Sequence, residues 1–538
     1  MTVPAQSTRI RYRQRRKFRP TPRQSRMNRK IMALLNRKVR GPRMIFKNDP
    51  ASIQSFLEDT SNIRTGATPG VYFPENAADI AGLLKEAAHL QRRYTIAGNG
   101  TGTTGGRIPD GSYVISMQNL RSIGEIRELT PTEALITVEA GALLEDIQKK
   151  TQHTGWLYPP DPTETLCFIG STIANNSSGS RSFKYGPTRN HIRRILAVLP
   201  EGDILNLTRG EIVADRNGMF HLDLPVAGQV TFSRPDYPMP ATSKHNAGYY
   251  SREGMDLVDL FIGSEGTLGV IIEADLILIR EPEKFFSCMI FFQDIDDLFR
   301  FVAAIKQPEA IVSPRVVELF DENSLLFLQK QYPNIPHDVK GAIFIEQETT
   351  RNDEDHHLEA WLELMERHRA LSDASWVALD RKAQQELTAF RHALPILVNE
   401  WLSKQQESKI STDMAVPDSV FRELFDFYTE TCRKNGFAYI IFGHIGNAHV
   451  HLNILPRNRD EFMHAKKLYL DFVDKVLKLG GTLSAEHGIG KLKAEYLVRM
   501  YGEKGIQEMA TIKKSLDPFL VLNIGNLIPV SYLKTANH

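Results

Sequence analysis

The sequence predicts an α+β protein with two consecutive mixed domains and a helical C-terminal segment. Between residues 52 and 282, short β-like runs alternate with short amphipathic helices, and a second β-α-β series begins at Phe285. After residue 456 the apolar spacing is mainly helical. A chain of 538 residues is long enough for several domains, and its composition, 42% hydrophobic and 24% charged, is that of a soluble globular protein.

Residues 1–51 are predicted to form a basic N-terminal arm. Residues 1–48 contain sixteen Arg or Lys and no Asp or Glu, so the rest of the chain holds 50 basic and 64 acidic residues. Such an arm is typical of a disordered tail, of a segment that contacts anionic membrane surfaces, or of a mitochondrial transit peptide. Nucleic-acid binding is not expected, because the acidic body would oppose it. We expect a cytoplasmic protein, peripheral on the inner face of the membrane, with a mitochondrial location as the alternative.

The first domain is predicted to span residues 52–282. Residues 225–250 contain four prolines and predict an irregular surface excursion. The other predicted elements, in chain order, are a helix at 76–87, a strand just before Gly98, strands at 113–117 and 135–139, a helix at 142–149, a hairpin at 195–203 and a strand at 270–278.

The second domain is predicted to span residues 283–456. A strand at 285–292, a helix at 295–305, a strand at 342–346 and a helix at 356–369 follow one another. This β-α-β order predicts a ferredoxin-like cap domain. Residues 457–538 are predicted to form the C-terminal helical segment.

A glycine-rich loop dominates the first domain. Five glycines lie between Gly98 and Gly106, directly after a β-like run, and backbone N–H groups in such a loop can surround a pyrophosphate. Residues 100–105 also match the G-x-G-x-x-G pattern of Rossmann folds, which requires a helix directly after the glycines. Here a turn at 107–111 and a strand follow, so the context excludes a Rossmann site.

Further motifs carry a resemblance to a known family. Residues 158–162 lead into a second glycine-rich stretch at 170–179, Lys184-Tyr185-Gly186 follows, and a third motif lies at 261–269. Over residues 60–530 the chain resembles the vanillyl-alcohol-oxidase-type flavoproteins, and more closely their D-2-hydroxyacid dehydrogenase branch. The resemblance implies a PCMH-type FAD-binding domain of two α+β subdomains, a substrate-binding cap, and a C-terminal segment that closes over the flavin.

The resemblance also implies which residues bind FAD. Since no histidine lies in the first glycine loop, we expect non-covalent FAD, with His153 and His191 as the exceptions to examine. The implied cofactor-binding residues are Gly98, Asn99, Gly100, Thr101, Gly102, Thr103, Thr104, Gly105, Pro160, Asp161, Gly170, Ser171, Thr172, Asn175, Asn176, Ser178, Gly179, Tyr185, Gly186, Gly266, Val270, Ile271 and Asn523.

A histidine-rich segment predicts a metal site. Between His444 and His451 three histidines fall within eight residues, and from Ala448 onward the alternation is that of a strand, with His449, His451 and Asn453 on one face. Several histidines on one face are typical of a divalent metal site. In residues 484–493, adjacent Glu and His side chains in a glycine-bounded loop can supply one ligand and one free base.

The resemblance assigns roles to this cluster. It implies that His444, His451 and Glu486 bind the metal, zinc or manganese, and that His487 is the catalytic base. Two positions depart from the family pattern: Asn447 stands where Asp is common, and His449 stands where Asn is common. His449 is then a fourth ligand or a substrate contact. Arg391 resembles the arginine that pairs with the substrate carboxylate, with Lys409 and Arg315 as alternative candidates.

These roles imply FAD-dependent, metal-assisted oxidation of a D-2-hydroxyacid to the 2-oxoacid, with hydride transfer to flavin N5. Lactate, glycolate and 2-hydroxyglutarate all fit the pattern. Three widely spaced cysteines exclude a cysteine-ligated iron–sulfur cluster, so electrons are expected to leave to a quinone, an electron-transfer flavoprotein or a cytochrome. The alternatives are a non-redox flavoenzyme of the ether-lipid synthase type and a binding protein tethered to membrane or nucleic acid through its arm.

Overall fold

The computed structural model describes residues 44–534, so the predicted roles of residues 1–43 lie outside it. The strand Ile45–Lys47 and the start of the helix Pro50–Ile53 fall inside the segment that the sequence assigned to the arm. The strand pairs antiparallel with Val71–Phe73, so the folded chain begins before residue 52. Within the described residues, the helices all lack the length or the apolar character needed to cross a bilayer.

The first sheet of the N-terminal domain has four strands. Three of them run parallel, and the helix Ala77–Ala87 connects the first two of these in sequence. Asn76 caps this helix by accepting a hydrogen bond from the backbone of Asp79 at 3.0 Å. The spatial order is Ile45–Lys47, Val71–Phe73, Tyr113–Ser116 and Tyr94–Ala97. No helix separates the last two strands in the described chain, which confirms that the glycine loop is not a Rossmann turn.

The second sheet of this domain is antiparallel. Its central strand is Val270–Arg280, and the predicted hairpin is confirmed by the pairing of Val198 with Ile204. Its strands lie in the order Ile123–Thr130, Glu133–Glu139, Val270–Arg280, Ile192–Val198 and Ile204–Thr208, with Trp156–Leu157 paired to the central strand. The helices of this region are Leu144–Thr151, Ile169–Ala174, Ser182–Tyr185 and Leu257–Phe261.

The segment predicted as an irregular surface excursion is partly regular and partly buried. The strands Met219–Leu224 and Gly228–Ser233 form a separate hairpin, so the prediction was wrong for residues 228–233. Farther along, Lys244 and Tyr249 are fully buried. The chain returns through the interior because this stretch packs between the N-terminal domain and the C-terminal helices, which the prolines alone do not reveal.

The cap contains the predicted ferredoxin-like unit. Its four strands alternate with helices and lie in the spatial order fourth, first, third, second, all antiparallel. In chain order the elements are Lys284–Phe292, Ile295–Ile305, Pro314–Asp321, Glu322–Gln329, Gly341–Thr349, Glu354–Arg367 and Trp376–Ala378.

The cap sheet continues beyond this unit toward the site. The strand Ala438–Gly443 pairs with Pro314–Asp321, and His449–Leu455 follows it. The long helix Arg381–Gln405 packs on one face of this sheet, with Leu387 near Trp376–Ala378 and Arg391 reaching Glu318 in Pro314–Asp321. The remaining elements of this part are the short strands Ile410–Ser411 and Met414–Ala415 and the helix Phe421–Lys434.

The C-terminal segment is helical and returns to the N-terminal domain. Its helices are Arg459–Lys478, Ala494–Leu516, interrupted at Gly502, and Val530–Leu533. The backbone N–H of Tyr94 donates to Val521 at 2.7 Å, and Asn523 accepts from Ile96 at 2.7 Å. The segment 521–523 therefore lies hydrogen-bonded along the strand that leads into the glycine loop.

Candidate active site

A cavity of about 410 Å³ lies between the N-terminal domain and the cap. Both glycine-rich stretches line it, and so do the histidines of the cap and the Glu486-His487 loop. Fifteen of the implied cofactor residues lie on its wall: Gly98, Asn99, Gly100, Thr101, Gly102, Thr103, Thr104, Gly170, Ser171, Thr172, Asn175, Ser178, Gly266, Ile271 and Asn523.

Glycine is required at the tightest points of this wall. A Cβ on Gly170 would lie 2.6 Å from the Cβ of Ala140, which leaves no room for a side chain. Gly100 has a φ of +86°, a left-handed conformation that side chains disfavour. At Gly102, by contrast, a Cβ would meet open space, so the backbone there is exposed to the cavity.

On the N-terminal domain's side of the cavity, three buried polar atoms have no hydrogen-bond partner among the described residues. They are the Oδ2 atom of Asp59, the Nε atom of Arg107 and the hydroxyl of Ser178, and all three residues line the cavity wall. Because buried polar atoms are nearly always paired, they indicate a polar ligand at this wall. Together with the bare glycine loop, they fit a dinucleotide such as FAD.

Eight implied cofactor residues lie away from the wall, where several support it. Asn176 donates to Asn246 at 2.9 Å, and the hydroxyl of Tyr185 donates to Glu348. The eight are Gly105, Pro160, Asp161, Asn176, Gly179, Tyr185, Gly186 and Val270. The two histidines examined as covalent flavin sites are also off the wall, since His153 is exposed and His191 is held by the carbonyl of Tyr185 at 2.9 Å.

The cap brings four potential metal ligands together. His444, His449, His451 and Glu486 each offer an atom within 4.8 Å of the others, and the Nε2 atom of His444 lies 3.1 Å from Glu486. Burial opposes ionisation of Glu486, but the charges of His444 and Lys244 outweigh it and hold its pKa well below the ordinary range. The cluster therefore offers an ionised carboxylate among imidazoles.

Each histidine of the cluster has an oxygen on its outer side. The Nδ1 atom of His444 lies 3.0 Å from Glu318, and that of His451 lies 3.2 Å from the carbonyl of Thr412. The Nε2 atom of His449 lies 3.3 Å from Asp413. Metal-binding histidines usually direct their second nitrogen to such an oxygen, so the donor set fits a divalent ion.

Asp413 holds the loop that carries Glu486 and His487. It accepts from the backbone N–H groups of Glu486 at 3.1 Å and His487 at 3.0 Å, and from Lys493 at 3.1 Å. Burial opposes its ionisation, but the charges of His487 and Lys493 outweigh it, so its pKa lies well below the ordinary range. The ring of His487 lies 3.7 Å from Asp413, stacks on His451 and lines the cavity.

Arg391 lines the cavity but already has a carboxylate partner. It binds Glu318 through two nitrogens, one of them 2.7 Å away, and its third nitrogen lies 3.0 Å from His392. The alternative cations lie elsewhere: Arg315 pairs with Glu346 at 2.7 Å, and Lys409 is not on the cavity wall.

The sequence analysis assigned no role to three charged residues of the site. The ammonium group of Lys244 is fully buried and contacts Glu486 and the carbonyl of Gly179. Glu318 and Asp413 each join a cation to a histidine. The sequence does contain a sign of Glu318, because a lone carboxylate in the apolar run 316–320 indicates a buried acid with a partner.

Glu265 is a further buried acid on the cavity wall. It accepts from the backbone N–H groups of Ile489 at 2.6 Å and Gly490 at 2.7 Å. Burial raises its pKa to about 7. It thus ties the third motif of the N-terminal domain to the loop that follows His487.

Comparison with known proteins agrees with this architecture. The FAD binding domain family matches residues 68–208, and the family of FAD linked oxidases, C-terminal domain, matches residues 281–527. The glycolate oxidase subunit GlcD of Bacillus subtilis is 29% identical over 85% of this chain and 88% of its own length. The D-lactate dehydrogenase of Anaerostipes hadrus is 27% identical over 90% and 95%.

Two further similarities concern a curated relative and a solved structure. A D-2-hydroxyglutarate dehydrogenase of Xanthomonas citri is 25% identical over 90% of this chain and 94% of its own. The structure of alkyldihydroxyacetonephosphate synthase, at 16% identity and a TM-score of 0.60, covers 94% of this chain and 86% of its own and shows the fold alone. The chain belongs to the FAD-linked oxidases with a PCMH-type FAD-binding domain, in the D-2-hydroxyacid dehydrogenase branch.

Proposed function

We propose that the protein oxidises a D-2-hydroxyacid to the 2-oxoacid with FAD and a divalent metal, zinc or manganese, and that His487 is the base. The observation that carries the proposal is the arrangement of one cavity. Its wall combines the glycine loops with His444, His451, Glu486 and His487. In this site FAD would supply a two-electron acceptor, and the metal a Lewis acid that lowers the pKa of the substrate hydroxyl.

Charge balance supports a metal and an anionic substrate together. The three carboxylates around the histidine cluster are each already paired with a cation: Glu486 with Lys244, Glu318 with Arg391, and Asp413 with Lys493. A divalent ion would therefore add two uncompensated positive charges in a buried place. A 2-hydroxyacid supplies a carboxylate and, once its hydroxyl is deprotonated, a second negative charge, so it offsets them.

His487 is suited to accept the hydroxyl proton. Its side chain is 35% exposed and lines the cavity, whereas His449 is fully buried. Asp413 lies at 3.7 Å from its Nδ1 atom and fixes its backbone, which leaves Nε2 for the substrate. A positioned base of this kind contributes roughly 10²- to 10⁴-fold to the rate.

Arg391 is suited to bind the substrate carboxylate. Glu318 and His392 occupy three of the donor positions of the guanidinium, which has five N–H groups. The remaining N–H groups can bind a second carboxylate in the forked geometry that arginine favours. Glu318 keeps the guanidinium fixed while this happens.

The electron acceptor and the location remain part of the proposal. Cys167, Cys288 and Cys432 are free and buried, so we propose transfer to an external quinone, electron-transfer flavoprotein or cytochrome. The basic N-terminal arm is proposed as a peripheral membrane contact, in the cytoplasm or, alternatively, in mitochondria.

Anaerobic reduction of the bound flavin tests the proposal. The full-length FAD-loaded protein, with metal present, is mixed with D-lactate, D-2-hydroxyglutarate or glycolate, or with the L-acids, and the flavin absorbance is followed. We expect one D-acid to bleach the flavin, and chelation with EDTA to abolish the bleaching. Bound FAD that no hydroxyacid reduces would reject dehydrogenation and favour a non-redox flavoenzyme. Bleaching that survives chelation would reject the metal.

A further inference from the structure

We propose that His449 is a fourth protein ligand of the metal and not a substrate contact. The centre would then consist of three imidazoles and one carboxylate, from His444, His449, His451 and Glu486. This inference rests on the proposed function, since it concerns the ion at the same centre. It gives a role to the histidine that this chain carries where its family commonly has asparagine.

His449 is fully buried, and among the described residues its ring nitrogens lack partners in hydrogen-bond geometry. Its Nδ1 atom lies 3.7 Å from the Oε1 atom of Glu486. A polar ring in this situation is costly unless something binds it, so its inner nitrogen indicates a missing ligand.

The ring orientation matches that of the other two histidines. Asp413 lies 3.3 Å from the outer nitrogen of His449, as Glu318 does for His444 and the Thr412 carbonyl does for His451. An oxygen beside the outer nitrogen favours the tautomer that is protonated there, and the inner nitrogen of that tautomer is free to bind a metal. All three rings therefore present an inner nitrogen toward Glu486 or its neighbours.

The position of His449 does not suit a substrate contact. His444, His451 and Glu486 line the cavity, but His449 does not. The start of its strand pairs with Met414–Ala415, and its backbone N–H donates to His444 at 3.3 Å, so the ring lies behind the other ligands. An ion can reach this ring from the cavity side, whereas an organic acid would have to pass the other ligands first.

Four protein ligands restrict the choice of ion. A tetrahedral ion would be saturated by them and would have no position left for the substrate. A six-coordinate ion keeps two positions, which match the hydroxyl and carboxylate oxygens of a 2-hydroxyacid. Among the two metals proposed, this favours manganese, which readily takes octahedral geometry.

The test measures metal binding in the full-length, FAD-loaded protein. Manganese affinity is determined from the EPR signal of free Mn²⁺ for the wild type and for His449→Asn, His451→Asn and His221→Asn. His221 is an exposed histidine of the separate hairpin and serves as the matched control. We expect His449→Asn and His451→Asn each to weaken binding by at least about 100-fold, because losing only an outer partner of a ligand costs roughly 10- to 100-fold. The His221 variant and the flavin spectra should be unchanged.

A second measurement needs no variant. X-ray absorption of the manganese-loaded wild type counts the imidazole ligands, and we expect three. Two imidazoles, or unchanged affinity in His449→Asn, would overturn the role of His449 and leave a three-ligand metal site intact. A wild type that binds no stoichiometric metal would instead reject the metal part of the proposed function, and this inference with it.

Discussion

Replacement of Asp413 by Asn should release the loop 484–492, which carries the proposed base His487, from its anchor. Asp413 is 2% exposed and accepts from two backbone N–H groups of the loop, from Ser484 at 2.7 Å and from Lys493 at 3.1 Å. Asparagine removes the charge and turns one acceptor into a donor. One N–H of the loop then faces another donor, and Lys493 loses its counter-charge.

The magnitude follows from these contacts. Breaking a buried ion pair by removing one partner costs about 3–5 kcal/mol in the free energy of unfolding. Because the same loop carries the proposed base, its displacement should lower kcat by roughly 10²- to 10⁴-fold, as the loss of a positioned base does. FAD content should remain near that of the wild type, since Asp413 does not line the cavity.

The assays are urea unfolding, flavin absorbance and single-turnover flavin reduction by the active D-acid. Asp426→Asn is the matched control, because Asp426 is half exposed and pairs with Arg422 on the surface, where such pairs contribute about 0–1 kcal/mol. If Asp413→Asn loses stability but reduces flavin within about threefold of the wild-type rate, Asp413 is only structural. The positioning of His487 by this carboxylate would then be refuted.

Three further predictions concern the rest of the site. Arg391→Lys keeps the charge but loses the forked geometry, so KM for the acid should rise roughly tenfold or more with kcat little changed. A lower kcat at unchanged KM would contradict the proposed binding of the substrate carboxylate by Arg391. Gly170→Ala brings a methyl group to 2.6 Å from Ala140 and should reduce bound FAD, measured by absorbance, whereas Gly82→Ala, which meets open space in a helix, should not. The pKa of Glu265 is raised from 4.5 to about 7, so folding favours its protonated form, and its contribution to the free energy of unfolding falls by roughly 3 kcal/mol as pH rises through this window. Glu265→Gln should therefore flatten the pH dependence of the urea midpoint between about pH 5 and pH 8. An unchanged pH dependence would exclude the effect.

The sequence predicts well those parts of the site that are encoded locally. A loop that must approach a ligand with its bare backbone shows itself by its glycines, and residues 98–104 all line the cavity. Likewise, the short strand and turn around 443–453 bring His444 and His451 together through local geometry. The ferredoxin-like order of the cap followed from alternating strands and helices in the same way.

Residues that act through distant partners are harder to predict. Lys244 contacts Glu486, which lies 242 positions away, and Glu318 contacts Arg391 across 73 positions. Nothing within a few residues of Lys244 marks it as the buried partner of a carboxylate, since prolines and polar residues around it are typical of a surface loop. Only the tertiary fold brings these charges together, so their pairing lies beyond local patterns.

The loop between Glu486 and Leu492 is held from both sides of the cavity, and this links the proposed metal and base to the cofactor cradle. Asp413 binds it from the cap, while the N-terminal domain binds it through Glu265 and through the carbonyl of Thr104, which accepts from Lys491 at 3.1 Å. Thr104 belongs to the glycine loop itself, and its hydroxyl also donates to the backbone carbonyl of His487 at 3.4 Å. The distance between the proposed base and the glycine loop is therefore set by direct hydrogen bonds between the two loops and not by the relative position of two loosely joined domains. A shift of the glycine loop on FAD binding would be transmitted to the proposed base, and FAD would in this way help to place His487.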